Sequence, residues 1–229
     1  MLERVTITVD GRAVCAKSGA NLLDMLLDQG VYVPHLCHVA QDGQTGFACR
    51  LCFVMVAGVE KPVCACEVTV SDGMSVTTGT KRCKQLAKRA LALMASQHKA
   101  DCGRCVKRDS CPFREVAAYL GEPLGPLLAR ASSDGESAAS VDGIPGRQSA
   151  SECVVCGKLS LDHSKCVLCR RCKAACDEVG KGFIGVHGRG ARARIAFDPA
   201  VLVDDGIACD DCTSCVDACP VGALTWARL

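Results

Sequence analysis

Apolar and polar positions alternate from the start of the chain. In ERVTITV, residues 3–9, Val5, Ile7 and Val9 fall on one face of a strand. Asp10-Gly11 is a tight hairpin turn, and RAVCA returns as a second strand. The period then lengthens: in GANLLDMLLDQG, Leu22, Leu23, Leu26 and Leu27 recur at helical spacing, and Gly30 stops the helix. A hairpin, a helix and then a cysteine-bearing loop are compatible with a β-grasp fold, with further strands expected at 53–57 and 66–70. Thr80 is placed to cap a helix through KRCKQLAKRALALMASQ, with Leu86, Ala90, Leu93 and Met94 as its apolar stripe. That helix delivers His98 at its C-terminal end. A second short helix is expected from Pro112 to near Gly121. Residues 122–151 are dominated by Gly, Ser, Ala and Pro and read as a linker, or an arm lying on a partner.

Composition narrows the function classes. The chain has 229 residues, room for two or three small domains. Formal charge is only +2 and aromatic residues make up 3%, which argues against nucleic acid as a partner. No apolar run reaches membrane-spanning length, and the N-terminus is an alternating strand rather than a signal peptide, so a cytoplasmic protein with no membrane span is expected. The decisive feature is the 20 cysteines. Without an export signal a disulfide scaffold is a poor reading, and the CxxC groupings suit metals better than cross-links.

Two stretches, CVLCRRCKAAC from Cys166 and CDDCTSCVDACP from Cys209, repeat the spacing CxxCxxCxxxC. This is the bacterial two-cluster ferredoxin pattern, in which the fourth cysteine of each copy serves the other cluster. Cys166, Cys169 and Cys172 are thereby grouped with Cys219 on one [4Fe-4S] cluster, and Cys209, Cys212 and Cys215 with Cys176 on a second. Pro220 follows the second copy as the pattern asks; Asp177 stands at the equivalent place in the first. A pair of zinc knuckles is the competing reading. Farther upstream, Cys37, Cys49, Cys52 and then Cys64 or Cys66 combine one CxxC with two distant cysteines on a β-grasp scaffold, which suggests a [2Fe-2S] cluster. In HKADCGRCVKRDSC, residues 98–111, three closely spaced cysteines lack a fourth, and His98 is either that ligand or only the end of a helix.

The stretch VPHLCHVAQDGQTGFACRLCFVMVAGVEKPVCACEVTVSDGMSVTT resembles the N-terminal region of the largest peripheral-arm (NADH dehydrogenase) subunit of respiratory complex I. It is similar also to the N-terminal region of multi-cluster [FeFe] hydrogenases and to the small diaphorase subunit of NAD-reducing hydrogenases. The family's pattern falls on Lys61-Pro62, Cys66 and Gly73-Met74, which implies Cys66 rather than Cys64 as the fourth [2Fe-2S] ligand. In that family a His and three cysteines at H-x3-C-x2-C-x5-C bind one [4Fe-4S] cluster, and His98, Cys102, Cys105 and Cys111 match that spacing without a gap. The resemblance thus implies one [2Fe-2S] and three [4Fe-4S] clusters.

Five cysteines stand outside these sets. Cys15, Cys64 and Cys83 read as buried small apolar residues. Cys153 and Cys156, with His163 nearby, are candidates for a further metal, either zinc or iron–sulfur. No GxGxxG or GxxxxGK[ST] stretch offers a nucleotide site. The expected fold is therefore α+β and modular. It comprises a β-grasp [2Fe-2S] domain at 1–78, a helical [4Fe-4S] module with one His and three Cys ligands at 79–121, a linker at 122–151, and a two-[4Fe-4S] ferredoxin domain at 152–229. The expected role is a non-catalytic electron-transfer subunit. It would lie between a flavin-containing NAD(P)H-oxidising subunit, with its small [2Fe-2S] companion, and a separate catalytic redox subunit. A hydrogenase, a formate dehydrogenase or an aromatic acyl-CoA reductase complex would suit as that subunit. A soluble polyferredoxin carrier and a non-redox zinc-binding adaptor are the alternatives.

Overall fold

Val5, Ile7 and Val9 all point into the core from β1 (Arg4–Val9), as their alternation requires. The computed structural model describes residues 3–38, 47–96, 98–99, 101–124, 153–156, 158–198 and 212–226. Two compact units divide the chain: Met1–Leu91 with Tyr119–Gly121, and Ala92–Ala118 with Glu122–Leu229.

In the first unit β1 pairs antiparallel with β2 (Arg12–Lys17) through a turn in which Asp10 and Gly11 both have positive φ. The Asp10 carboxylate then accepts from Thr78 N at 2.7 Å and Thr78 Oγ1 at 2.6 Å, tying the turn to the residue that follows Thr77. Helix α1 (Leu22–Asp28) starts at Asn21, whose Oδ1 accepts from Leu23 N. Gly30, at φ 73°, ends it. Leu22, Leu23 and Leu26 are fully buried, each burial contributing about 1.5–3 kcal/mol. The sheet is completed by β3 (Phe53–Val56), β4 (Val63–Cys64) and β5 (Ser75–Thr77), in the order β2-β1-β5-β3-β4 with β5 parallel to β1. A hairpin, a helix packed with it and a parallel return strand form the arrangement expected of a β-grasp.

Two local expectations are corrected. No strand runs over 66–70: Ala65–Glu67 form a 3-10 turn, and the chain rejoins the sheet only at β5. The buried stripe of α2 (Lys81–Ala95) is Cys83, Ala87, Leu91 and Ala95, while Leu86, Ala90 and Met94 are half-buried beside it and Leu93 is 72% exposed. The buried stripe is rotated by part of a turn from the line of the bulkiest apolar residues. The cap is as expected: Cys83 N donates to Thr80 Oγ1 at 3.2 Å.

In the second unit α3 (Pro112–Tyr119) supplies Phe113, Val116 and Ala117 to the core. β6 (Cys153–Cys156), β7 (Leu159–Asp162) and β10 (Leu224–Trp226) form a sheet in the order β10-β7-β6, and β8 (Ile184–His187) pairs with β9 (Arg194–Phe197). Helix α4 (Arg171–Glu178) packs against α5 (Ser214–Ala218) and β8. The linker expected at 122–151 lies, beyond Leu124, outside the described residues.

Candidate metal centres

In the first unit Cys37, Cys49, Cys52, Cys64 and Cys66 are all buried. The loop that carries Cys49 and Cys52 is bent by positive φ at Phe47 and Arg50, conformations non-glycine residues adopt only under local constraint. β3 begins directly after Cys52, and Phe53 pairs with Cys64, so the register brings the downstream cysteines back to the loop. Ala65 N donates to Cys52 O at 2.8 Å, and the 3-10 turn folds Cys66 inward until its sulfur lies 3.4 Å from that of Cys52. Hydrogen bonds from the Cys64 and Cys66 thiols hold the Cys52 thiol well below its ordinary range, and the Cys49 thiol does the same for Cys37. The structure thus gathers five cysteines where the sequence reading uses four.

Supporting residues without any cysteine signal hold this site. Asn21 Nδ2 donates to Cys66 O at 2.8 Å, so one asparagine caps α1 and anchors the cysteine turn. His38, next to Cys37, is buried, with Nε2 2.5 Å from Asp24 Oδ1 and Nδ1 without a hydrogen-bond partner among the described residues.

In the second unit His98, Cys102, Cys105 and Cys111 line one partly open pocket, together with Lys165 and Val221. His98 N donates to Ala95 O at 3.0 Å, placing the residue just past α2. Its Nδ1 is 2.7 Å from Lys165 O. A carbonyl only accepts, so Nδ1 carries the proton and Nε2 keeps its lone pair. Burial lowers the His98 pKa and keeps the ring neutral, as a ligand must be. The Phe113 ring meets it edge-on at 5.5 Å. Lys107 N donates to Cys105 Sγ at 3.4 Å.

Cys166 and Cys169 lie on the loop entering α4, where Leu168 and Arg170 again have positive φ, and Cys172 stands in the first turn of that helix. Burial pushes Cys166 up to about 11, Cys169 up to about 12, and Cys172 up as well; Cys219 is near enough to raise all three further. Thiols so buried become thiolates only against a positive centre. Cys219 Sγ accepts from Ala223 N at 3.2 Å and Cys176 Sγ from Phe183 N at 3.3 Å. Cys215 is buried on α5 and Cys212 precedes it; Cys209 lies outside the described residues. Among the described residues no three such donors converge on one point, as a mononuclear site requires.

Of the remaining cysteines, Cys64 and Cys83 are buried as expected. Cys15 is exposed, a correction: it lies on the edge strand β2, where alternation turns Ala16 inward and Cys15 outward. Cys153 and Cys156 end β6 opposite Asp162 and Leu159.

Known proteins match this arrangement in two blocks. Residues 3–81 match the 2Fe-2S iron-sulfur cluster binding domain, and residues 157–225 the ferredoxin-like domain of NADH-quinone oxidoreductase subunit 3. The chain is 29% identical over 228 residues to the NADPH-Fe(3+) oxidoreductase subunit alpha of Geobacter sulfurreducens, covering 96% of this chain and 24% of that protein. It is 28% identical to the NADP-reducing hydrogenase subunit HndD of Solidesulfovibrio fructosivorans, covering 97% and 36%. Against the mitochondrial NADH-ubiquinone oxidoreductase 78 kDa subunit of Candida albicans the identity is 25%, covering 98% and 29%. The chain therefore spans roughly a quarter to a third of these relatives. A chain in the crystal structure of NAD+-reducing [NiFe]-hydrogenase in the H2-reduced state superposes with a TM-score of 0.73 at 26% identity, covering 98% of this chain and 88% of that one.

Proposed function

We propose that this chain, which joins a 2Fe-2S iron-sulfur cluster binding domain to a ferredoxin-like domain of the NADH-quinone oxidoreductase subunit 3 type, is an electron-transfer subunit of an NAD(P)H-linked oxidoreductase complex. The observation that carries the reading is the His98 cavity. A neutral imidazole with its Nδ1 proton committed to a carbonyl and three cysteines line one space, the donor set one cubane requires.

Four ligand sets follow: Cys37, Cys49, Cys52 and Cys66 for [2Fe-2S]; His98, Cys102, Cys105 and Cys111; Cys166, Cys169, Cys172 and Cys219; and Cys176, Cys209, Cys212 and Cys215, each of the last three for [4Fe-4S]. These groups would supply one-electron oxidation and reduction. The chain's own residues bury the ligands, direct N–H groups at their sulfurs and set the charge around each centre.

The relatives are named as subunits of oxidoreductases and a hydrogenase whose names carry NADH, NADPH or NADP, which supports partners of two kinds here. One is a flavin-containing NAD(P)H-oxidising subunit with its small [2Fe-2S] companion; the other is a separate catalytic redox subunit. Among the described residues no helix is long and apolar enough to cross a membrane.

Anaerobic purification of the full chain with iron and sulfide analysis tests this reading. About 14 irons per chain are expected from one [2Fe-2S] and three [4Fe-4S] clusters. The colour should bleach with dithionite, and NADH should bleach it only when the flavin subunit is added. A fully loaded chain holding zinc, or only about eight irons, would exclude the four-cluster reading.

A further inference from the structure

Asp162, at the end of β7, is fixed through its own backbone: its N–H donates to Ala223 O at 2.8 Å, and Ala223 N donates to Cys219 Sγ at 3.2 Å. From that point its carboxylate closes a turn. Oδ1 accepts from Ser164 N at 2.9 Å and from Ser164 Oγ at 2.6 Å, while Oδ2 pairs with Lys165 Nζ at 3.2 Å. The closed turn presents two consecutive carbonyls to the segment that begins at His98. Ser164 O accepts from Lys99 N at 2.7 Å, and Lys165 O accepts from His98 Nδ1 at 2.7 Å. The next residue is Cys166.

We propose that Asp162 is a positioning residue for the His98 imidazole, and that the Lys165–Cys166 peptide it holds in place is the bridge coupling the His98 centre to the Cys166 centre. The proposal rests on the ligand sets given above. Two physical effects support it. A hydrogen bond to the far nitrogen of a ligating histidine fixes the ring and strengthens it as a donor. The same carbonyl is bonded to the nitrogen of Cys166, so one short hydrogen bond and a few covalent bonds join the two ligands. Electronic coupling decays less steeply along such a path than across a gap. The other close approaches between these centres are longer: Cys105 Sγ to Val221 O and Cys111 Sγ to Pro220 O, both 3.8 Å.

The test uses the full chain, loaded anaerobically. Pulsed electron paramagnetic resonance of the reduced protein should show imidazole nitrogen coupled to one cluster, a signal absent in His98→Cys. Asp162→Ala should change that coupling, weaken the magnetic interaction between this cluster and its Cys166 neighbour, and weaken iron retention at the site by about tenfold or more. Asp162→Asn keeps an oxygen acceptor at the turn and should restore all three. Ser164→Ala deletes only the hydroxyl bond and should move the coupling the same way by less; it carries the test even where Asp162→Ala fails to fold. Unchanged coupling, interaction and iron retention in Asp162→Ala, or unchanged coupling in Ser164→Ala where that variant stands alone, would overturn the proposal. A fully loaded unaltered chain without any nitrogen coupling would instead remove the histidine-ligand reading beneath it.

Discussion

Gly222 and Val106 meet with no room for a side chain between them: a β-carbon on Gly222 would lie 2.8 Å from Val106 Cγ2 and 3.5 Å from Cys105 Sγ. Gly222 also has φ 65°, a left-handed conformation that favours glycine. The turn after Cys219 and the loop carrying Cys105 therefore touch through a position that must be glycine twice over.

Gly222→Ala should destabilise the protein by about 1–3 kcal/mol and loosen the His98 site. Val106 is 66% exposed, so Val106→Ala alone should cost little. In the double variant the steric part of the loss should be recovered and the backbone part should remain. Denaturant unfolding with a double-mutant cycle measures this; simple additivity of the two changes would show that the contact has no weight.

Cys64 and Cys66 both hydrogen-bond to Cys52, yet only one of them is assigned to the [2Fe-2S] set. Cys66→Ser should abolish or strongly perturb the [2Fe-2S] signal of the reduced chain. Cys64→Ser should retain it with a shifted line shape. The reverse pattern would move the ligand to Cys64.

Loading with iron should be linked to pH. In the metal-free chain Cys166 and Cys169 are raised from 9.0 to about 11 and about 12. A raised thiol pKa means the folded state keeps a proton that the unfolded state has released. The associated stability is present below about pH 9 and is lost as pH rises toward 11–12. Metal-free protein should thus weaken across that alkaline window, while the loaded protein, its thiolates bound to iron, should not. Trp226 is the only tryptophan and sits on β10, so its fluorescence can follow unfolding of this unit.

Cys15 and Cys83 should differ in reactivity, since the first is exposed and the second is 2% exposed in α2. Brief alkylation of the loaded native chain followed by peptide mass spectrometry should modify Cys15 and spare Cys83. Equal labelling of both would contradict the burial of the α2 stripe.

Local periodicity decided much of this protein. The alternation of Val5, Ile7 and Val9, the leucines of α1 and the Thr80 cap each act within a few residues, and each appears in the structure as its spacing dictates. Part of the chemistry was also legible, because a metal cluster demands thiols at short intervals, and the two matched iron–sulfur domains cover the Cys37–Cys66 grouping and the grouping that begins at Cys166. Tertiary structure decided what periodicity leaves open. Leu93 is exposed and Cys83 buried because the neighbours of α2, not side-chain size, select its inner face. Cys66 turns toward Cys52 because the chain breaks from β4 into a 3-10 turn anchored by Asn21, a residue 45 positions away. The tautomer of His98 is set by a carbonyl 67 positions away, at Lys165. A main-chain carbonyl has no side-chain identity to be read, so only folding could place that oxygen against the ring.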